Sequence, residues 1–141
     1  MDKATILVKC NEICKHTLME TLDIEFVDVD MQKETLTAKM PVTPKVHQPD
    51  GVLHGGATAA LAESVGSAAC FVFLDVQHNI IRGLEITANH VKSVQAGYVY
   101  ATASFVHKGR TTQIWDIKVT NGEGKLISLC KLSTISLPKV S

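Results

Sequence analysis

The sequence predicts an α+β domain in which a curved antiparallel sheet of about five to six strands wraps around one long central helix, preceded by a short N-terminal helix. Three observations predict it. Between Ala57 and Leu74 the chain is small and apolar, and Ala57, Ala59, Ala60, Leu61, Ala62, Val65, Ala68, Ala69 and Cys70 cover nearly the whole circumference of a helix. A helix that is apolar all round has to be buried on most sides. Flanking it are segments that alternate apolar and polar residues with the period of strands. Finally, 141 residues without repeats or a linker-like shift in composition make one domain, residues 1–141, large enough for a core of its own.

The elements follow in order. In ATILVKCNEICK, Ile6, Cys10 and Ile13 share a helical face with Leu7 and Cys14 beside it. Thr17 is placed as an N-cap with Glu20 as its capping-box partner, giving a second short helical turn. Leu22, Ile24 and Phe26 alternate with Asp23 and Glu25, a strand with one wet face; Leu36, Ala38 and Met40 alternate with Thr35, Thr37 and Lys39, a second one, with MQKE turning between them. Pro41, Pro44 and Pro49 mark an extended loop ending at Asp50-Gly51. After the long helix come four strands: IIRGLEITANHVKSV, YVYATASFVH, TTQIWDIKVT and KLISLCKLSTISL. NGEG at Asn121–Gly124 supplies a hairpin turn, and QAG and KGR supply the others.

Formal net charge is zero and no basic or acidic block occurs, so there is no electrostatic footprint for nucleic acid. The opening MDKATILVKC has a short apolar run and no small-residue cleavage site, which reads as a cytoplasmic protein; the Ala57–Leu74 segment, interrupted by Glu63, is a poor membrane span. Cys10, Cys14, Cys70 and Cys130 have no zinc-ligand spacing and read as free buried thiols, and no metal site or separate cofactor is expected.

One carboxylate, Glu63, stands within the apolar helix, where burial without a partner is costly. It either lies on a polar seam, paired with a base or wet at an oligomer interface, or serves chemistry. Ser67 is one turn further on the same face. Gly55 and Gly56 begin the helix, where N–H groups lack intrahelical partners and the helix is positive: an oxyanion site. Gln48 can add a side-chain amide, and His54 either orients substrate and loop or caps the helix. Gly55 and Glu63 are eight residues apart, about 12 Å along a helix axis. One carbonyl does not reach both on the same helix. If they act together, antiparallel helices of two subunits bring them together, giving a homodimer with two composite sites.

The stretch QPDGVLHGGATAALAESVGS resembles the motif region of hotdog-fold acyl-CoA thioesterases of the PaaI type. It is most similar to the branch of the 1,4-dihydroxy-2-naphthoyl-CoA and Arthrobacter-type 4-hydroxybenzoyl-CoA thioesterases, and the likeness continues through GLEITANHVKS, HKGRTTQIWDI and GKLISLCKLS. The resemblance implies that Glu63 is the catalytic carboxylate, as nucleophile or as general base. It makes Gly55 the oxyanion amide, places Gln48 and His54 beside the thioester, and has Ser67 position water or Glu63. It implies that His90 borders the acyl pocket and that Lys92, Lys108, Gly109, Arg110 and Thr111 form the rim for coenzyme A. There the chain reads Gly109-Arg110-Thr111-Thr112 where the family has Gly-Ser-Arg-His, so its arginine comes one place earlier. Implied too are an aromatic or other bulky acyl-CoA as substrate and a homodimer, paired further into a homotetramer. The competing readings are a hydratase of the same fold, which would show a His-Phe-Pro-Gly-like stretch absent here, and a non-catalytic acyl-CoA-binding hotdog protein.

Overall fold

Asp2 starts the first helix by accepting a hydrogen bond from the Thr5 N–H, and a computed structural model describes the chain over residues 1–140. The helices are α1 (Lys3–Glu12), α2 (Leu18–Thr21) and α3 (Gly55–Phe73). The strands are β1 (Glu25–Asp30), β2 (Thr35–Pro41), β3 (Asn79–His90), β4 (Tyr98–Lys108), β5 (Thr112–Asn121) and β6 (Leu126–Pro138). They form one antiparallel sheet in the order β1-β2-β4-β5-β6-β3, and α3 packs against every strand from β2 to β6. This is the sheet wrapped around a helix that the sequence predicts.

Alternation decides which side chains meet the helix. Leu36, Ala38 and Met40 from β2, Val99, Ala101 and Ala103 from β4, and Trp115, Ile117 and Val119 from β5 are all fully buried. From α3 they meet Leu61, Ala62, Val65, Ala68 and Ala69. Gly66 lets the helix approach β5 and β6 closely: a Cβ there would lie 2.6 Å from Leu132 Cδ2 and 3.1 Å from Ile117 Cδ1.

The helix α3 is buried on most sides, as expected, and Gly56, Glu63, Ser67 and Phe71 form the stripe that stays open, with Phe71 63% exposed. Several local expectations are corrected. On α1 the buried residues are Ile6 and Cys10, followed by Cys14, while Ile13 turns outward. Thr17 does cap α2, accepting from the Met19 N–H, but its own N–H bonds the Cys14 carbonyl, so the Glu20 arm of a capping box has no donor to meet. The first strand begins at Glu25, because Leu22 closes α2 and Asp23 takes the left-handed conformation (φ 57°). Likewise β3 ends at His90, where Val91 and Lys92 both donate to the Ile127 carbonyl and the ladder is lost.

All four cysteines are free and buried, and burial pushes the Cys130 thiol up to about 11. A thiol that ionises later in the folded state than in the unfolded state contributes stability that is complete below the unfolded value and lost as pH rises towards the folded one. Unfolding free energy is therefore expected to fall between about pH 9 and pH 11, and Cys130→Ser should flatten that decline in pH-dependent urea titrations. For the core, Gly66→Ala is expected to cost about 1–3 kcal/mol by overpacking, because Leu132 is itself fully buried; the urea midpoint measures it.

Candidate active site

The beginning of α3 is built by a short loop that folds back on itself. The Gln48 N–H bonds the Val52 carbonyl, Gly51 turns with φ 83°, and His47 bridges to Leu53. The His54 N–H then bonds the Val46 carbonyl, which fixes His54 as the N-cap. Its Nδ1 accepts from the Gly56 N–H at 2.8 Å, and its carbonyl accepts from the Ala57 and Thr58 N–H groups. So His54 is bonded to the backbone of the helix start. Of the first N–H groups, that of Gly55 has no partner among the described residues. An N–H at the positive end of a 19-residue helix is an anion donor in position.

Gly55 also lines a cavity of about 280 Å³, together with Gln48, Thr58, His90, Lys92 and Ser128. Four residues singled out in the sequence, Gln48, Gly55, His90 and Lys92, thus converge on one space. The missing side chain of Gly55 has a use beyond ligand approach. The His90 ring fills that room, since a Cβ on Gly55 would lie 2.7 Å from His90 Nε2. The ring is held from its other side by Ser128, whose Oγ is 2.6 Å from His90 Nδ1.

Glu63 and Ser67 lie elsewhere. They line a second cavity of about 320 Å³ with Ile13, Leu18, Met19 and Phe71, walled by the C-cap of α1, by α2 and by the open stripe of α3. Glu63 has no hydrogen-bond or ion-pair partner among the described residues, and its Oε2 lies over Gly83 of β3, 3.5 Å from where a Cβ would be. Within one chain, then, the structure brings Gly55, Gln48 and His90 together but leaves Glu63 and Ser67 apart from them.

The remaining predicted residues form a third group at the far end of α3. Lys108, Gly109 and Arg110 line a cavity of about 490 Å³ with Phe73, Leu74 and Gln113. Lys108 Nζ is 2.6 Å from Glu34 Oε2 and sits over the Phe105 ring. Gly109 bonds the Thr112 carbonyl in the turn, the Thr111 carbonyl accepts from the Ser136 N–H, and Arg110 is exposed. Sequence reasoning missed Ser128, Thr58 and the apolar wall of Ile13, Leu18 and Met19. For Ser128 a signal existed, since it shares a face with Cys130 and Leu132 on an alternating strand, but its partner His90 is 38 residues away.

A model of the thioesterase superfamily matches residues 50–128, which span the end of the loop, α3, β3 to β5 and the start of β6. The chain belongs to this family and has its hotdog fold, and it is a thioester hydrolase. It is 43% identical over 122 residues to the 1,4-dihydroxy-2-naphthoyl-CoA hydrolase of Listeria monocytogenes, covering 86% of this chain and 96% of that one. A solved thioesterase from Pseudomonas aeruginosa, crystallised as a glutamine-to-alanine mutant, superposes with a TM-score of 0.90 at 39% identity, over 94% of each chain. A thioesterase from Staphylococcus aureus, solved in separate glutamine-to-alanine and glutamate-to-alanine forms, superposes with a TM-score of 0.79 at 37–38% identity, covering 86% of this chain and 98–99% of that one. The glutamine and the glutamate replaced in that protein are fifteen residues apart.

Gly55→Ala is expected to expel the His90 ring from its contact with Ser128 while leaving α3 formed. The His90 ring signals should move in NMR spectra, with circular dichroism unchanged.

Proposed function

We propose that the protein hydrolyses an aromatic or other bulky acyl-CoA at two composite sites in a homodimer, with Glu63 of one subunit acting on a thioester held at Gly55 of the other. The carrying observation is the open stripe of α3. It has an unpartnered donor at Gly55, an unpaired carboxylate at Glu63, and Gly56, Ala59 and Ala60 between or beside them. Small residues let two such helices pass closely, and an antiparallel pair centred near Ala59 sets each Gly55 opposite a Glu63. The unpaired outer edge of β3, beside β6, is free to pair with its copy and continue the sheet across the same two-fold axis.

In this arrangement the polar cavity of one subunit faces the apolar cavity of the other. The thioester carbonyl oxygen meets the Gly55 N–H, with the Gln48 side chain beside it. His54 keeps the helix start in shape, and Ser67, one turn from Glu63, orients the carboxylate or the attacking water. Glu63 attacks the carbonyl carbon or takes the proton of a water that attacks it. Charge then develops on the carbonyl oxygen and is met by fixed donors, the carbon–sulfur bond breaks, and coenzyme A leaves as the thiol once protonated. On the water route the free acid forms in that step; on the direct route water then cleaves the acyl–Glu63 anhydride, releasing the acid and restoring the carboxylate. The acyl group lies against Ile13, Leu18, Met19 and Phe71, and Lys92 and Arg110 are bases available to the phosphates. Support for the pairing of roles comes from the Staphylococcus protein, because Gln48 and Glu63 are separated by the same fifteen residues. The name of the Listeria relative supports an aromatic acyl group.

Thiol release from benzoyl-, 1,4-dihydroxy-2-naphthoyl-, hexanoyl- and palmitoyl-CoA tests the reading. Glu63→Ala is expected to lower turnover at least ~10²–10³-fold with the fold intact; full turnover in that variant would overturn the mechanism, and bound but unturned esters in the wild type would mark a binding protein. The shared site has its own test. Unfolded Glu63→Ala and Gln48→Ala chains refolded together should recover about a quarter of wild-type sites, because half the dimers are mixed and one site in each is whole. Recovery no greater than that of the separate variants would place the site within one chain.

A further inference from the structure

We infer that His90 supplies a second donor to the developing oxyanion, its Nε2–H held beside the Gly55 amide by Ser128; this rests on the reading of Gly55 as the carbonyl's donor. His90 and Ser128 face each other directly in the β3–β6 ladder, so their side chains share one face of the sheet. Ser128 is fully buried, and its hydroxyl has one hydrogen-bond partner among the described residues, His90 Nδ1 at 2.6 Å. A buried hydroxyl proton needs an acceptor. Nδ1 can accept only when it carries no proton, so Ser128 donates and the neutral ring is protonated at Nε2.

Where that proton points follows from Gly55. Of the ring atoms near the space of the absent Cβ, Nε2 is nearest at 2.7 Å, ahead of Cδ2 at 3.0 Å and Cε1 at 3.5 Å. The ring therefore turns its N–H edge to the helix start. Nε2 has no hydrogen-bond partner among the described residues, and neither has the Gly55 N–H. Two free donors, one from a helix start and one from a strand end, thus border the same cavity, which Gln48 also lines. One backbone donor gives a partial oxyanion site, and an added imidazole donor stabilises the same charge. Ser128 does not touch the substrate in this scheme; it is a positioning residue that sets the tautomer of His90.

The test combines NMR with kinetics. In wild-type protein the imidazole ¹⁵N shifts of His90 are expected to show the Nε2–H tautomer, and Ser128→Ala should give a mixture of both forms. On a substrate whose turnover depends on Glu63, His90→Phe should lower kcat about 10²-fold with KM within about twofold. His90→Gln, which keeps an N–H donor, should recover part of the loss. Ser128→Ala should lower kcat less, and adding it to His90→Phe should cost nothing more, since its effect runs through the ring. A ring protonated at Nδ1 in the wild type would overturn the proposal. So would unchanged kcat in His90→Phe, a change in KM alone, or full additivity of the two substitutions. The tautomer is read without turnover, and Glu63 dependence is read without His90, so this proposal and the hydrolytic reading fail on different measurements.

Discussion

The close approach of α3 to the sheet is the constraint from which the rest follows. Gly66 gives up its side chain to Leu132 and Ile117, and Leu61, Ala62, Val65, Ala68 and Ala69 complete the contact. Once those positions face the sheet, a period of 3.6 residues leaves Gly56, Glu63, Ser67 and Phe71 pointing away from it. The exposure of Glu63 is therefore a product of core packing. A carboxylate placed one residue earlier or later on this helix would meet Ala62's or Ser64's surroundings instead, buried or half-buried.

The donor end is determined by a different kind of economy. An N-cap ordinarily satisfies one or two of the helix's first N–H groups. His54 takes the second one, Gly56, through its ring, and the third and fourth through its carbonyl. What remains is the first, on a residue that lines a cavity with the end of β3 and the start of β6. Helix and sheet thus each bring one half of that wall.

Much of this was legible in the sequence, because the sheet–helix contact is written in patterns of period 2 and small residues. Strands β2 and β5 follow their alternation at the core positions, and β4 does so through Ala103, before half-buried Phe105 and the bulge that follows it. The errors fall where local bonding outweighs pattern. Leu22 fits the strand rhythm but closes a helical turn, and Glu20 fits a capping box whose donor already serves Cys14. At the site, Gly55, Gln48, His90 and Lys92 could be collected from their motif. Ser128 could not, since it joins them only through β3–β6 pairing. Nor could the sequence show that the Lys108–Thr111 turn sits at the opposite end of α3 from Gly55; that follows from strand direction in the folded sheet.

The eight-residue interval from Gly55 to Glu63 has a consequence for how this chain can change over time. Because the sheet holds α3 in a fixed rotational phase, each residue inserted or deleted between them would turn everything after it by about 100° relative to the sheet. A single insertion would swing Glu63 toward the core and bring an apolar neighbour into its place. Substitutions in this interval alter one side chain at a time, but length changes dephase the helix as a whole. The interval can drift in composition while its length stays locked, so variation in chain length has to be absorbed in the surface turns, such as Asp30–Thr35 and Asn121–Leu126, rather than in the helix that runs through the core.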